Sequence, residues 1–198
     1  MKYIIKAVEK FNGWENVEKA NIDKFVWLKD YCPVCYAQAV YVEGEALKVR
    51  LTCVEKNPKA AHEGFYSHVY KDSCLEFFFS FDDGKTYVNA EMNSKGSCLI
   101  GYGAGRHGRT RIDELAPIPE VKAEIGEESW SVELTLPDTT IEKVFGVRPA
   151  VGTVIKGNFY KCGDETEVEH YGMWSPVGTE KPDFHRPEFF GVIELRKV

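Results

Sequence analysis

The sequence predicts an all-β fold, an antiparallel β-sandwich or jelly roll with long loops and one short helix. Runs rich in β-branched and aromatic residues follow one another along most of the 198 residues and are separated by Gly, Pro and Asp. This short, regular spacing is typical of sandwiches and not of strands alternating with helices. Because 43% of the residues are apolar, the chain can bury a full core, and we expect residues 1–198 to form a single domain.

Each predicted strand is bounded by turn residues. The strands cover residues 46–54, 75–81, 86–92, 97–102, 120–125, 130–136, 154–161 and 190–195. A short helix follows the 130–136 strand, with Asp138 or Thr139 as its N-cap and Gly146 at its end. Its apolar stripe would consist of Ile141, Val144 and Phe145. Residues 55–71 and 163–188 are predicted to be long loops, which commonly carry function.

The net charge of −6 argues against nucleic acid as a partner, because such binding needs clustered Lys and Arg. Arg106, Arg109 and Arg111 form one local basic patch, which predicts a solvated loop. No apolar stretch reaches the ~18 residues that span a bilayer, so no membrane partner is expected. The first residues carry Lys6 and Glu9 within a short apolar run, unlike a secretion signal. A cytoplasmic location is expected, or an extracellular one if a signal segment has already been removed.

The six cysteines do not predict a disulfide framework, because several lie within predicted strands, where free cysteine behaves as a small hydrophobe. These are Cys53, Cys74 and Cys98. Cys32 and Cys35 form a lone C-x-x-C, which leaves open a redox pair or half of a zinc site with Cys162 and His170. We expect no cofactor. Calcium remains an alternative because four acidic residues cluster in one loop, namely Asp164, Glu165, Glu167 and Glu169.

The segment GYGAGRHGRTRI matches the pattern G-x-G-x-x-G through Gly103, Gly105 and Gly108. A dinucleotide site needs these glycines between a strand and a long helix whose N-terminus meets the pyrophosphate. Here Pro117 and Pro119 follow within a few residues, and no such helix can form. The pattern therefore predicts a glycine-rich loop between strands.

A β-hairpin is predicted over CLEFFFSFDDGKTYVNAEMN, because Asp83-Gly84 is a strong type I′ turn signal. That turn places Phe79 opposite Val88 and Phe77 opposite Ala90. Side chains alternate across a strand, so one face of the hairpin is almost purely apolar and must belong to the core. It consists of Leu75, Phe77, Phe79, Phe81, Val88, Ala90 and Met92.

The other face of the hairpin is polar and aromatic, with Glu76, Phe78, Ser80, Tyr87, Asn89 and Glu91. The same register sets Glu76 directly opposite Glu91, and like charges in that position are destabilising. Either both carboxylates point into water, or a cation, a shared proton or a donor-rich ligand compensates. Carboxylates and amides accept hydrogen bonds from hydroxyls, and aromatic faces pack on C–H surfaces, so the second alternative predicts a sugar-binding platform.

Four motifs along the chain resemble the family 9 carbohydrate-binding modules and their DOMON-like relatives. They are YKDSCLEFFFSFDDGKTYVNAEMNSKG, SWSVELTLP, GNFYKCGDETEVEHYGMWSP and PDFHRPEFFG. The resemblance implies a β-sandwich that binds carbohydrate without cleaving it, often at the reducing end of a glucan or xylan chain. It also implies a slot between two aromatic rings, here Tyr70 and Phe184, with Glu76 beside them.

Two departures from that family stand out. Both slot rings are commonly tryptophan, and the position of Glu91 commonly carries a basic residue. Arg106, Arg109 or Arg111 could replace the missing cation if the glycine loop folds over the platform, and Arg109 is the one assigned to the site. Trp174 either walls the pocket or only braces its loop, and His185, next to Phe184, is predicted at the rim. With Tyr87 and Asn89, these residues complete the predicted ligand site.

Two alternatives to sugar binding stay open. Glu76 and Glu91 could act as the paired carboxylates of a glycoside-processing enzyme, since retaining enzymes hold theirs ~5 Å apart. Alternatively, a related sandwich could bind haem or a protein partner, with Met92, Met173 or histidines as axial ligands. The sequence leaves the identity of the sugar and the oligomeric state open.

Overall fold

The computed structural model describes residues 1–197, and in this range it has thirteen strands and one α-helix, with three short 3₁₀ segments. The strands are β1 Lys2–Val8, β2 Ala20–Ile22, β3 Val34–Val42, β4 Ala46–Val54, β5 Cys74–Ser80, β6 Tyr87–Asn93, β7 Cys98–Gly103, β8 Thr110–Arg111, β9 Glu120–Ile125, β10 Trp130–Pro137, β11 Val154–Gly163, β12 His170–Met173 and β13 Gly191–Lys197. The helix, α1, spans Asp138–Phe145. The all-β prediction is confirmed.

The strands form one curled sheet in the order β8-β7-β6-β5-β11-β13-β1-β3-β4-β10-β9, and β2 and β12 pair alongside β3 and β11. Most neighbours are antiparallel, as predicted. β1 is an exception because it runs parallel to both β13 and β3. The fold is therefore a mixed sheet, and the antiparallel prediction is wrong at the strand that joins the two halves.

The two ends of this curled sheet share one hydrophobic core. Phe77 of β5 and Val88 of β6 belong to the same buried cluster as Leu51 of β4 and Val132 of β10. Trp130 is 1% exposed within this cluster, as its alternating run predicted. The core thus lies between the inner faces of two layers, which is the arrangement of a sandwich.

The predicted strands all form, with ends within one or two residues of those expected. The sequence analysis missed five strands, β1, β2, β3, β8 and β12. In β3, VCYAQAVYV, the last six residues are all buried, so the strand lacks the alternation that identifies a strand exposed on one side. β2 and β8 are only three and two residues long.

The helix ends at Gly146 as predicted, with φ of 68° in the left-handed region. The predicted N-cap is wrong. Pro137 occupies that position, and no side chain caps the helix. The Asp138 carboxylate instead accepts a hydrogen bond from the Tyr41 hydroxyl at 2.9 Å. This bond ties the helix to β3.

The predicted hairpin register is confirmed residue by residue, including Phe79 opposite Val88, Phe77 opposite Ala90 and Glu76 opposite Glu91. Asp83 and Gly84 both have positive φ, 63° and 85°, as a type I′ turn requires. In residues 1–197, none of the helices is both long and apolar enough to cross a membrane.

We predict that Gly84→Ala lowers the free energy of unfolding by roughly 1–2 kcal/mol, because a Cβ is strained at this φ. Gly105→Ala is the matched control. Gly105 lacks a positive φ, and a Cβ there would meet nothing within 4 Å, so its effect should stay within about 0.5 kcal/mol. Urea unfolding of both variants tests this, and equal losses would contradict the assignment of the turn.

Candidate functional site

A cavity of about 430 Å³ lies on the outer face of β5 and β6. Its floor is the polar and aromatic face of the hairpin, and its walls come from the glycine loop, residues 104–109, and from the two long loops predicted between residues 55–71 and 163–188. Seven of the nine predicted site residues line it: Tyr70, Glu76, Asn89, Glu91, Arg109, Phe184 and His185. Residues from distant parts of the chain therefore meet around the hairpin.

Glu76 and Glu91 lie side by side on the cavity floor as cross-strand partners. Neither points into bulk water, since the two residues are only 2% and 5% exposed. Burial, together with the neighbouring Glu91 carboxylate, raises the pKa of Glu76 well above its usual range. Burial also raises the pKa of Glu91 to about 7, against the opposing effects of Asn89 and Arg109. The pair thus favours holding protons near neutral pH.

A chain of hydrogen bonds runs from Glu91 to the glycine loop. The Asn89 amide donates to Glu91 Oε1 at 2.8 Å, and Arg109 Nε donates to Asn89 Oδ1 at 2.7 Å. The other carboxylate oxygen, Glu91 Oε2, is buried without any hydrogen-bond partner. Because buried acceptors normally receive a hydrogen bond, this oxygen is the clearest unsatisfied acceptor on the cavity floor.

Arg109 fastens the glycine loop over the hairpin. Besides Asn89, its guanidinium donates to the carbonyls of Gly105, Tyr87 and Gly101 at 2.7–3.1 Å. It also lies 4.3 Å from the centre of the Tyr87 ring. A Cβ on Gly101 would stand 3.0 Å from Asn89 Oδ1, so the absence of a side chain lets the arginine and the amide meet. The glycine loop is thus a wall of the cavity.

His185 packs against the floor beside this arginine. Its Nδ1 lies 2.8 Å from the Tyr87 hydroxyl, and its ring centre is 5.0 Å from that of Phe78. Burial lowers the pKa of His185 to about 3, and the charge of Arg109 adds to this effect. The imidazole is therefore neutral at pH 7. Tyr87 itself is fully buried beneath the cavity and supports His185 and Arg109 without lining the site.

The two predicted slot rings differ in what they can offer a ligand. Tyr70 is half-buried and lines the cavity. Phe184 is only 8% exposed, because its ring stacks on Tyr160 with centres 4.0 Å apart and planes at 13°. Trp27 covers it further, with ring centres 5.7 Å apart. One face of Phe184 is thus committed to the protein.

Trp174 does not wall the cavity, and its prediction as a ligand-binding residue is corrected. The side chain lies in the core between the layers, with its ring centre 5.7 Å from Phe159 and 6.3 Å from Tyr3. Its backbone N–H donates to the Phe159 carbonyl, which continues the pairing of β12 with β11 by one residue. Trp174 therefore braces its segment from the inside.

Several lining residues were missed by the sequence analysis, and most of them come from loops with no periodic pattern. Tyr66, His107, Asp164 and Asp183 lie in loops, whereas Leu99 and Tyr171 lie on β7 and β12. Arg106 also lines the cavity. Tyr66 has φ of 61°, unusual for a bulky residue, and the Arg111 guanidinium lies 4.8 Å from its ring centre. Arg106 lies 3.6 Å from Asp183.

Asp72, four residues before Glu76, organises the wall that carries Tyr66 and Tyr70. Its buried carboxylate accepts hydrogen bonds from the backbone N–H groups of Ala61 and His62 and from the Asn93 amide, each at 3.0 Å. Burial alone would raise the pKa of Asp72, but these donors keep it below its usual value. The charged carboxylate thus anchors the loop to β6.

Most residues considered for metals and cofactors have other partners. The Tyr171 hydroxyl lies within hydrogen-bonding distance of both the Asp164 and the Glu169 carboxylates, and Glu165 pairs with Lys71 at 2.8 Å. His170 lies 2.8 Å from the buried Lys161 ammonium. Across residues 1–197, no three His, Cys, Asp or Glu side chains converge to hold a metal ion. All six cysteines are free thiols, and only Cys32 is exposed.

The two methionines considered as axial haem ligands, Met92 and Met173, are buried. Met92 is fully buried in the core, as its inward register predicted. Met173 Sδ accepts a hydrogen bond from the backbone N–H of Val177. Both side chains are thus part of the packed interior.

We predict that Arg109→Ala lowers the free energy of unfolding by about 2–4 kcal/mol, because Asn89 Oδ1 and several backbone carbonyls lose their hydrogen-bond donor together. Hydrogen exchange of residues 103–109 should accelerate in parallel. Arg106→Ala is the matched control on the same loop. Its side chain is 58% exposed, and it should change stability by less than about 1 kcal/mol. Slow exchange retained in Arg109→Ala would contradict this role.

A second prediction concerns pH. The unfolded chain releases the Glu91 proton near 4.5, whereas the folded chain holds it to about pH 7. Between these values the folded state binds more protons, so this carboxyl makes the free energy of unfolding fall as pH rises. Glu91→Gln removes that loss. The difference in free energy of unfolding, variant minus wild type, should therefore rise by roughly 1–3 kcal/mol as the pH increases from about 5 to 7.5. A pH-independent difference in urea unfolding would refute the raised pKa.

Comparisons with known proteins agree with this architecture. The sequence profile described as Carbohydrate-binding family 9 matches residues 6–195. A candidate carbohydrate-binding protein from Bacteroides uniformis, whose crystal structure is known, is 27% identical, with 98% of this chain and 99% of that chain covered and a TM-score of 0.82. No curated protein matches the sequence significantly.

A family 9 module from Caldicellulosiruptor kristjanssonii has the same fold. Its complexes with cellotriose and with glucose each superpose with a TM-score of 0.71 at 13% identity. They cover all of this chain and 95% and 97%, respectively, of the module. With a family match over nearly the whole length and a sandwich of this topology, the chain belongs to the carbohydrate-binding family 9.

Proposed function

We propose that this chain binds carbohydrate without cleaving it, and that the cavity over β5 and β6 holds the end of an oligosaccharide or polysaccharide chain. One observation carries the proposal: buried hydrogen-bond acceptors and aromatic rings converge in one concave site. The volume of about 430 Å³ lies in the range of small-ligand pockets. Hydroxyl groups can donate to the floor acceptors while the sugar ring packs against aromatic carbon.

The shape of the site favours a chain end over the middle of a chain. The floor is closed by the sheet, and Arg106 and Asp183, which lie 3.6 Å apart, both line the cavity. A cavity closed on one side fits the end of a chain, because the middle of a long chain needs an open groove. The complexes of the Caldicellulosiruptor kristjanssonii module with glucose and cellotriose support ligands of this size.

Binding without catalysis is supported by the position of the two carboxylates. A glycosidase needs its pair on either side of the scissile bond, with one group ionised while the other is protonated. Glu76 and Glu91 are neighbours on one floor, and both are more than nine-tenths buried. A bond lying above them would meet both groups from the same side.

The departures from the family bear on affinity and not on the place of binding. Tyr70 and Tyr66 offer the accessible aromatic surface, while Phe184 adds to the apolar wall and supports Tyr160. His185 is neutral and can exchange hydrogen bonds with hydroxyl groups. We therefore place the sugar ring between the tyrosines and the wall that contains Phe184 and His185.

We predict that calorimetric titration with gluco-, xylo- and manno-oligosaccharides detects binding, and that Tyr70→Ala weakens it by tenfold or more through loss of the aromatic face. Reduction of the chain end should also weaken it if the cavity holds the reducing end. Tyr36→Ala is the control, since Tyr36 is a half-buried tyrosine of β3 outside the cavity. Aryl glycosides should be left intact.

Equal affinity of wild type and Tyr70→Ala would place the sugar elsewhere. No binding of any saccharide, with a folded protein, would reject the proposed function. Steady release of the aryl group, abolished by Glu76→Gln, would instead support the enzymatic alternative.

A further inference from the structure

The acidic pair on the cavity floor lacks a cation. Glu76 and Glu91 face each other across the ladder, and both line the cavity although each is more than nine-tenths buried. Glu91 Oε2 has no hydrogen-bond partner. A buried charge is normally paired, and like charges in this position repel, so without a bound cation the pair avoids repulsion only by holding protons.

The nearest cation, Arg109, cannot complete it. Nε donates to Asn89, and the terminal nitrogens donate to the carbonyls of Gly105, Tyr87 and Gly101. Its effect reaches Glu91 through the Asn89 amide, which satisfies only Oε1. Turning the guanidinium toward the carboxylates would break bonds that hold the glycine loop in place.

The other cations near the pair are also committed. Lys161 follows Tyr160 on β11 and shares the opposite, core-side face with Leu75. There its ammonium bonds to the Ser73 hydroxyl at 2.9 Å and the Cys162 carbonyl at 3.0 Å. Arg106 is exposed and lies beside Asp183. His107 lines the rim, and the neutral His185 bonds to Tyr87.

The remaining charged groups along the cavity wall are acidic. Asp164 and Asp183 line it with the floor pair, so the lining offers more carboxylates than free cations. A protonated amine has three donors on a compact charge, and it can bond to two carboxylates at once. A hydroxyl has one donor and no charge, and leaves at least one of the glutamates to be neutralised by a proton.

We propose that the cavity selects a sugar that carries a protonated amine, an amino sugar with a free amino group, and that its ammonium lies between Glu76 and Glu91 in place of the missing cation. This inference rests on the proposed carbohydrate-binding function and names its ligand class. An N-acetylated amino sugar has lost the charge and adds an acetyl group, so it is excluded from this position. Glu91 Oε2, which has no hydrogen-bond partner within the protein, then accepts a hydrogen bond from the ammonium.

The test compares glucosamine, glucose and N-acetylglucosamine, which differ at one substituent, by calorimetry at about pH 6.5, where the amine carries its proton. Glucosamine should bind about tenfold or more tightly than glucose, as expected for a charge-assisted bond. Each titration is repeated in two buffers of different ionisation enthalpy. An ammonium favours the ionised form of the carboxyls that it contacts, so binding of glucosamine should release protons, and binding of glucose none.

Glu91→Gln should abolish the preference for glucosamine over glucose, and Glu124→Gln, the same substitution at an exposed glutamate of β9, should retain it. Proton release by the wild type tests the inference independently of these variants. Glucose binding as tightly as glucosamine, or glucosamine binding without proton release, would overturn the inference while the proposed function stands. Binding of none of the sugars, including the oligosaccharides above, would reject the proposed function itself.

Discussion

The register of the β5–β6 hairpin is the constraint on which the rest of the molecule depends. The turn at Asp83 and Gly84 sets this register, and the alternation of side chains then sends Phe77 and Phe79 into the core. The same alternation sends Glu76 and Glu91 to the outer face. A slip by one residue would place the carboxylates in the core and the phenylalanines in the cavity, so stability and site chemistry share one alignment.

The walls of the site depend on a few buried polar groups that fasten loops to this hairpin. Arg109 holds the glycine loop through Asn89 and three carbonyls, and Asp72 holds the loop that carries Tyr66 and Tyr70. Each anchor is charged and bonded to several partners, which is the condition under which burial of a charge is tolerated. The Glu76 and Glu91 pair lacks that compensation, and this contrast points to a ligand.

Membership of carbohydrate-binding family 9 and the local chemistry address different questions. The family match and the fold give the kind of scaffold. The choice of ligand depends on the groups that line the cavity, above all two glutamates on the floor and a wall phenylalanine stacked on Tyr160. Proteins that share a fold differ in specificity through such local groups.

The sequence by itself determined the strands with clear alternation, the type I′ turn, the facing of Glu76 and Glu91, and seven of the residues that line the cavity. These follow from local rules, since the backbone period and the turn geometry act over a few residues. Tertiary structure alone decided the parallel insertion of β1, the burial of Trp174 in the core and the stacking of Phe184 on Tyr160. Tertiary structure also decided that the Arg109 guanidinium donates its hydrogen bonds to groups of the protein. Such contacts join segments far apart in sequence and leave no local pattern.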